Sequence, residues 1–296
     1  LLLLGTFELV VVVKLVDYRK ILGGLAHPNR RPWDNPANSL DDQLLHLHRP
    51  NLRHRGRVSG NIARFWRLPD AEYYTFDVHY DGRGFRNSQT HQQADVVVIG
   101  DSFVEGALVA DDQILSSQLS RELQTTVCNL GQSGYGPQQE LAVLSRFGIP
   151  LRPTVCVWLF YEGNDLNDAA DYDNRVNQWQ EFMRQRDRFW NRSFSRNVLA
   201  ALPKLFVSPP PRREFWNQRA LVNERVAYFM HEGRELTEIE QRGLQETLAA
   251  LGKAARLCAQ HDTQLVFAFA PHKFRVYRPS STFPEGSPCV HWTVND

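Results

Sequence analysis

Several common function classes are excluded by what the chain lacks. Its four cysteines, Cys128, Cys156, Cys258 and Cys289, lie far apart and form no C-x-x-C pair, so no zinc-ribbon or dithiol redox spacing is present. Cys128 and Cys156 fall in strand-like runs and Cys258 on the apolar side of a helix. They read as small buried hydrophobes and do not decide the compartment. No sign of charge dominates, the formal net charge being +1, which removes any global attraction to nucleic acid. The glycines match no G-x-G-x-x-G fingerprint, and His231-Glu232 is not followed by a histidine at the zinc-protease spacing. Asp165, Asn167, Asp168, Asp171 and Asp173 lack the mid-loop glycine and closing glutamate of an EF-hand and read as a solvated loop. No cofactor and no metal are therefore expected, and no internal repeat is visible.

Nor does any apolar run reach the ~20 residues that cross a bilayer. Leu1 to Val13 comes nearest, broken mainly by Glu8 and followed by Lys14, Arg19 and Lys20. Because the chain opens on Leu1 rather than Met, residues 1–23 are read as the end of a signal anchor or uncleaved signal. An amphipathic packing helix is the alternative that Glu8 favours. Residues 24–90 are rich in Pro, Asn, Arg and His without a sustained period. They read as an irregular connector ending in Asp81-Gly82-Arg83-Gly84-Phe85-Arg86-Asn87.

Beyond residue 90 the chain becomes patterned. Val96 to Ile99 is a continuous β-branched run closed by Gly100, as expected of a buried parallel strand. Asp111 and Asp112 are positioned to cap a helix carrying Leu115, Leu119 and Leu123. Thr126 to Leu130 is the next strand, and Pro137 suits the first turn of a helix that stops near Gly148-Ile149-Pro150. Thr154 to Phe160 is a third strand. Residues 169–236 interrupt the alternation with Trp179, Phe182, Phe189, Trp190, Phe194, Phe215 and Trp216 among many arginines, plus Pro209-Pro210-Pro211. This reads as an aromatic-rich insertion or lid, and a lid accounts for the arginines as well as a nucleic-acid surface does, so no nucleic-acid partner is expected. Thr237 and Glu240 then form a capping box ahead of the Leu244, Leu248, Leu251, Ala255, Cys258 stripe, and Leu265 to Ala270 is a fourth strand. Strand and helix alternating in this way predict a parallel sheet covered by helices.

Three short segments follow three of these strands, where open parallel sheets bind ligands. Gly100-Asp101-Ser102-Phe103 places a serine hydroxyl on a strand-to-helix turn, although Asp101 and Ser102 also suit a plain helix cap. Asn129-Leu130-Gly131-Gln132-Ser133-Gly134-Tyr135-Gly136 lets backbone pass close to a ligand, or is merely a flexible loop. Gly163-Asn164-Asp165 offers a neutral amide donor, or simply a turn.

In order and spacing the three segments resemble the SGNH (GDSL-type) hydrolase superfamily, over residues of about 95 to 275. The resemblance implies a flavodoxin-like three-layer α/β/α sandwich in residues 91–296. It also implies Ser102 as nucleophile, with Gly134 (five residues after Asn129) and Asn164 completing an oxyanion hole with the serine N–H. The Asp81–Asn87 segment and the apolar amino terminus are similar to a membrane-anchored bacterial branch, the alginate O-acetyltransferase-like proteins. From that come the expected substrate, an acylated small molecule or polysaccharide, and an extracytoplasmic, membrane-tethered location.

One family feature does not appear. A serine needs a general base, and the family supplies a histidine with an aspartate two or three residues before it. His272 follows Pro271 directly, and His291 has Cys289 and Pro288 where the acid belongs. Three readings stand: the Asp/His block lies beyond residue 296, His291 or His272 serves as base with an unusual partner, or the fold binds acylated glycans without catalysis.

Overall fold

A computed structural model of the chain describes residues 2–26, 31–59, 63, 66–68, 72–106, 109–206, 210–230 and 235–293. Leu1, parts of the 24–90 span, Pro209 of the triproline run and the His231-Glu232 pair lie outside the described residues. From the amino terminus come helices α1 (Leu2–Val12) and α2 (Tyr18–Ala26), then strands β1 (Asn38–Asp41), β2 (Leu45–His48), β3 (Arg53–Ser59) and β4 (Tyr73–His79). Next are β5 (Val96–Ile99), α3 (Ser102–Glu105), α4 (Leu115–Leu123), β6 (Val127–Asn129), α5 (Pro137–Val143), β7 (Val155–Tyr161) and α6 (Asp165–Gln185). There follow α7 (Phe189–Arg192), α8 (Phe194–Phe206), β8 (Arg219–Val222), β9 (Arg225–Tyr228), α9 (Glu238–Gln260), β10 (Gln264–Ala270), α10 (Lys273–Tyr277) and β11 (Ser281–Thr282).

The chain divides into two units, residues 1–48 with 173–210 and residues 49–172 with 211–296. In the smaller unit Glu8, the break in the apolar amino terminus, has a structural use. Its carboxylate accepts Ser195 N at 2.7 Å and Ser193 Oγ at 2.9 Å, satisfying the first turn of α8. Phe7 stacks on Phe194 with ring centroids 4.5 Å apart. Trp33, Leu45 and Trp179 form a core in which Trp179 Nε1 donates to Leu45 O at 2.9 Å. No described helix is long and apolar enough to cross a membrane.

The larger unit is α/β. Its sheet has the order β10-β7-β5-β6, and all neighbouring pairs are parallel. All four residues of β5 are buried, as an interior strand with apolar side chains on both faces requires. Leu115 and Leu119 of α4 pack on Val96, Val98, Val104 and Val127. Thr237 and Glu240 form the expected capping box of α9, which buries Ala250, Ala254 and Cys258. All four cysteines are buried thiols outside any disulfide. The edge strand β10 leaves Val266, Phe267 and Phe269 exposed.

Three local expectations are corrected. The 24–90 span holds two antiparallel strand pairs rather than only irregular chain. In β3–β4 the pairing is helped by charge, with Arg53 and Arg55 both on Asp77 at 2.7 and 2.8 Å. Asp111 and Asp112 do not cap α4, whose N-cap position is Ile114; Asp111 instead pairs with Arg86 at 2.8 Å. The acidic stretch from Asp165 is helical rather than a solvated loop, with Asp168 in the first turn of α6, where a carboxylate complements the partial positive charge of a helix N-terminus.

Candidate active site

In the sheet order β5 lies between β6 and β7. The chain leaves β5 to one side to form β6, then crosses back to form β7. The carboxyl ends of β5 and β7 therefore flank the point where connections diverge, the place at which open parallel sheets bind ligands. Gly100-Asp101-Ser102 leaves β5 there, and Glu162-Gly163-Asn164 leaves β7.

Asp101 joins the two. Its Oδ1 caps α3 by accepting Phe103 N at 2.8 Å. Its Oδ2 receives both the Ser102 hydroxyl and the Asn164 amide, each at 3.3 Å. Ser102 Oγ and Asn164 Nδ2 thus stand no farther apart than twice that distance. Ser102 is exposed and Asn164 half-buried. Asn164 immediately precedes α6, and its carbonyl accepts Asp168 N at 2.9 Å. Its amide also donates to Asp168 Oδ2 at 2.7 Å. A carboxamide carries two N–H groups. The short bond to Asp168 holds one, and longer contacts run from the same nitrogen to Asp101 Oδ2 at 3.3 Å and to Asp165 Oδ1 at 3.4 Å.

The glycine-rich loop is tied to both segments. Gln132 N donates to Gly100 O at 3.1 Å, and Ser133 N donates to Glu105 of α3. A Cβ on Gly131 would fall 2.6 Å from Val104 Cβ, so only glycine lets the loop lie against α3. At the other end, a Cβ on Gly136 would fall 2.9 Å from Asp168 Cβ. Gly134 sits between these anchors with φ 81°, a left-handed conformation that favours glycine. Ser102, Gly134 and Asn164 therefore belong to three loops joined at one edge of the sheet.

Behind them lie four buried carboxyl groups, Asp101, Glu105, Glu140 and Asp165, each no more than 1% exposed. Glu105 accepts the Tyr80 hydroxyl at 2.5 Å, Glu140 accepts Trp158 Nε1 at 2.6 Å, and Asp165 accepts Tyr161 N at 2.6 Å. Burial raises the Asp101 pKa despite hydrogen bonds from Phe103, Asn164 and Ser102. Burial, reinforced by the charge of Asp101, pushes Asp165 up to about 8. Burial and then Asp165 and Asp101 raise Glu140 well above the usual carboxyl range. Asp165 and Glu140 are each raised by the charge of Asp101, and Glu140 by that of Asp165, so these three carboxyls cannot all ionise together near neutrality. A protonated cluster repels a developing oxyanion less than its residue count implies.

An aromatic wall adjoins the serine. Phe103 stacks on Tyr161 with centroids 3.9 Å apart, and Phe103 is exposed.

The two candidate histidines are placed differently. His272 lies just beyond β10 and is 3% exposed. Its Nδ1 accepts Arg275 N at 3.2 Å as the cap of α10, and its Nε2 is 3.7 Å from Glu162 Oε1. With Nδ1 an acceptor, the neutral ring carries its proton on Nε2, toward Glu162. Burial lowers the His272 pKa, against the pull of Glu162. Burial also opposes ionisation of Glu162, yet hydrogen bonds from Arg275 and from His272 N hold its carboxyl below the usual range. His291 is exposed, at the end of the turn Pro288–His291. Among the described residues no histidine hydrogen-bonds the Ser102 hydroxyl.

Sequence reasoning missed Asp101 as the bridge and Asp168 as the partner of Asn164. A signal for Asp168 existed: it lies four residues after Asn164, the spacing that puts two side chains on one face at a helix start. Among the described residues no group of His, Cys, Asp and Glu is arranged to hold a metal ion. Neither a protein-family model nor a curated protein matches this chain.

Proposed function

We propose that the protein is a serine-dependent ester hydrolase or O-acyltransferase of the SGNH/GDSL type, acting through an acyl-enzyme on Ser102. The observation that carries this reading is the shared Asp101 oxygen, which brings a hydroxyl and a carboxamide together at the divergence point of a parallel sheet. In the proposed reaction Ser102 Oγ attacks the ester carbonyl and gives its proton to a base. The carbonyl oxygen, now negative, is held by Ser102 N, Gly134 N and Asn164 Nδ2. Collapse expels the alcohol, and water or a sugar hydroxyl then takes the acyl group. His272 or His291 is the base if it turns toward Ser102; otherwise the base comes from outside the described residues.

The fold in this reading is a flavodoxin-like three-layer sandwich. Numbered by chain order, the sheet strands run 2-1-3-4, the opening of the flavodoxin-like 2-1-3-4-5 order. The exposed ring of Phe103, backed by Tyr161, suits the apolar face of a pyranose, which supports an O-acylated carbohydrate as substrate. Membrane attachment through residues 1–23, on the extracytoplasmic side, belongs to the same proposal. The exposed side chains of Leu3, Leu4, Leu9, Val12 and Val13 on and just after α1 supply an apolar surface for it.

One observation favours a second reading, a non-catalytic module that binds acylated glycans: His272 Nδ1 is committed to the cap of α10. Incubating the full-length protein with p-nitrophenyl acetate and a fluorophosphonate probe separates the two. Hydrolysis and labelling that disappear in Ser102→Ala support the enzyme. Labelling that persists in Ser102→Ala removes the nucleophile, and retained binding of an O-acetylated polysaccharide without turnover supports the binding module.

A further inference from the structure

In the unit formed by residues 1–48 and 173–210, an open cavity of about 460 Å³ is lined by Arg31, Arg186 and Arg196, with Trp33 and Phe182 as its apolar part. Two carboxylates, Asp34 and Glu181, also line it, and both are engaged. Asp34 lies 3.4 Å from Arg19 Nε, and Glu181 accepts Arg184 Nε at 3.0 Å. The three arginines are not neutralised in this way. Arg31 is exposed, and no described residue pairs with it. Arg186 stands 3.5 Å from Asp187, whose side chain is 72% exposed, and Arg196 donates to Asn191 Oδ1, a neutral acceptor. Guanidiniums that converge without carboxylates of their own fit an anion, and their planar forks match a phosphate.

A second feature adjoins the same arginines. Helix α8 begins at the cavity wall with Arg196, and Leu199, one turn farther along the same side, is 68% exposed. Leu202 and Phe206 continue that stripe at helical spacing, Phe206 being 82% exposed, while Asn197 and Ala201 face inward. Trp190, 68% exposed, stands in α7 next to Asn191 of the cavity lining. An apolar helix face bordered by arginines and an exposed tryptophan has the chemistry of a bilayer interface, where the stripe meets acyl chains and the cations meet phosphates.

We propose that this unit docks on an anionic phospholipid bilayer, the cavity taking a lipid phosphate between Arg31, Arg186 and Arg196 while the α8 stripe lies among the acyl chains. The proposal rests on the membrane attachment read above for residues 1–23, and adds to it a second contact and a lipid class. It is independent of the chemistry at Ser102.

The test is sedimentation of the full-length protein with vesicles of phosphatidylcholine alone or mixed with phosphatidylglycerol. Tighter binding to the mixed vesicles, weakened by salt, is expected. Arg186→Gln combined with Arg196→Gln should weaken binding to the mixed vesicles by about fivefold per arginine and remove the preference for them. Lys253→Gln combined with Arg256→Gln, an equal loss of charge at exposed positions of α9, should bind as wild type does. Leu199→Gln combined with Phe206→Gln should weaken binding to both kinds of vesicle by at least about tenfold. No binding to either vesicle by the wild type overturns the attachment reading together with this proposal. Binding that ignores lipid charge, that falls equally in the α9 pair, or that is unchanged in the α8 pair overturns this proposal alone and leaves α1 as the attachment.

Discussion

The Asn164 amide donates to Asp168 Oδ2 at 2.7 Å, a shorter bond than its 3.3 Å contact with Asp101 Oδ2. The carboxamide is therefore oriented from the helix that comes after it, with its second N–H toward the serine loop. If that N–H stabilises an oxyanion, Asn164→Ala should lower kcat toward an activated ester by roughly 10²–10³, as loss of one such donor does elsewhere. Steady-state kinetics check this, and a rate within about threefold of wild type would take Asn164 out of the site.

Asp168 is a positioning residue in this scheme. Asp168→Ala frees the carboxamide and should lower kcat by about tenfold or more with little change in KM, since misplacement of a transition-state donor acts on the chemical step. Asp168→Asn keeps an acceptor oxygen and should recover most of the rate. Equal losses in both variants would point to a purely structural role.

The sheet was legible before the structure because its strands are continuous apolar runs. Val96 to Ile99 reads as a buried strand in sequence and is one, with the three loops falling at strand ends as expected. The strands β3 and β4 were overlooked. In β4 the signal was present, Tyr74, Phe76 and Val78 alternating with Thr75, Asp77 and His79, but its partner Arg53-His54-Arg55-Gly56-Arg57-Val58-Ser59 has no apolar period, and Arg53 and Arg55 meet Asp77 only once the strands are paired. The acidic run from Asp165 misled for a related reason. Charge usually marks a solvated loop, yet Asp165 is 0% exposed and satisfied by Tyr161 N, a partner no local pattern reveals. That Ser102 and Asn164 should come together was expected from their places just after strands of one parallel sheet, whereas their shared partner Asp101 required coordinates.

The buried carboxyl cluster makes stability depend on pH. Asp165 titrates at about 8 in the fold against an ordinary value of 3.8. Between those values the folded chain holds a proton that the unfolded chain has released. Its stabilising contribution is therefore complete below the ordinary value and is lost as pH rises through the folded one. Asp101 and Glu140, both raised by burial, act in the same direction. Tm should fall as pH rises from about 5 to about 9. Asp165→Asn, which keeps an acceptor for Tyr161 N, should flatten that slope. A wild-type profile that rises across the window would contradict a protonated cluster.

The arrangement around one carbonyl oxygen is tested most directly by trapping it. The structure of the full-length protein after reaction with a fluorophosphonate should show phosphorus on Ser102 Oγ. The phosphoryl oxygen should lie roughly 2.7–3.2 Å from Ser102 N, Gly134 N and Asn164 Nδ2. An adduct on another residue, or a phosphoryl oxygen turned away from Asn164 and Gly134, would contradict the proposed oxyanion hole.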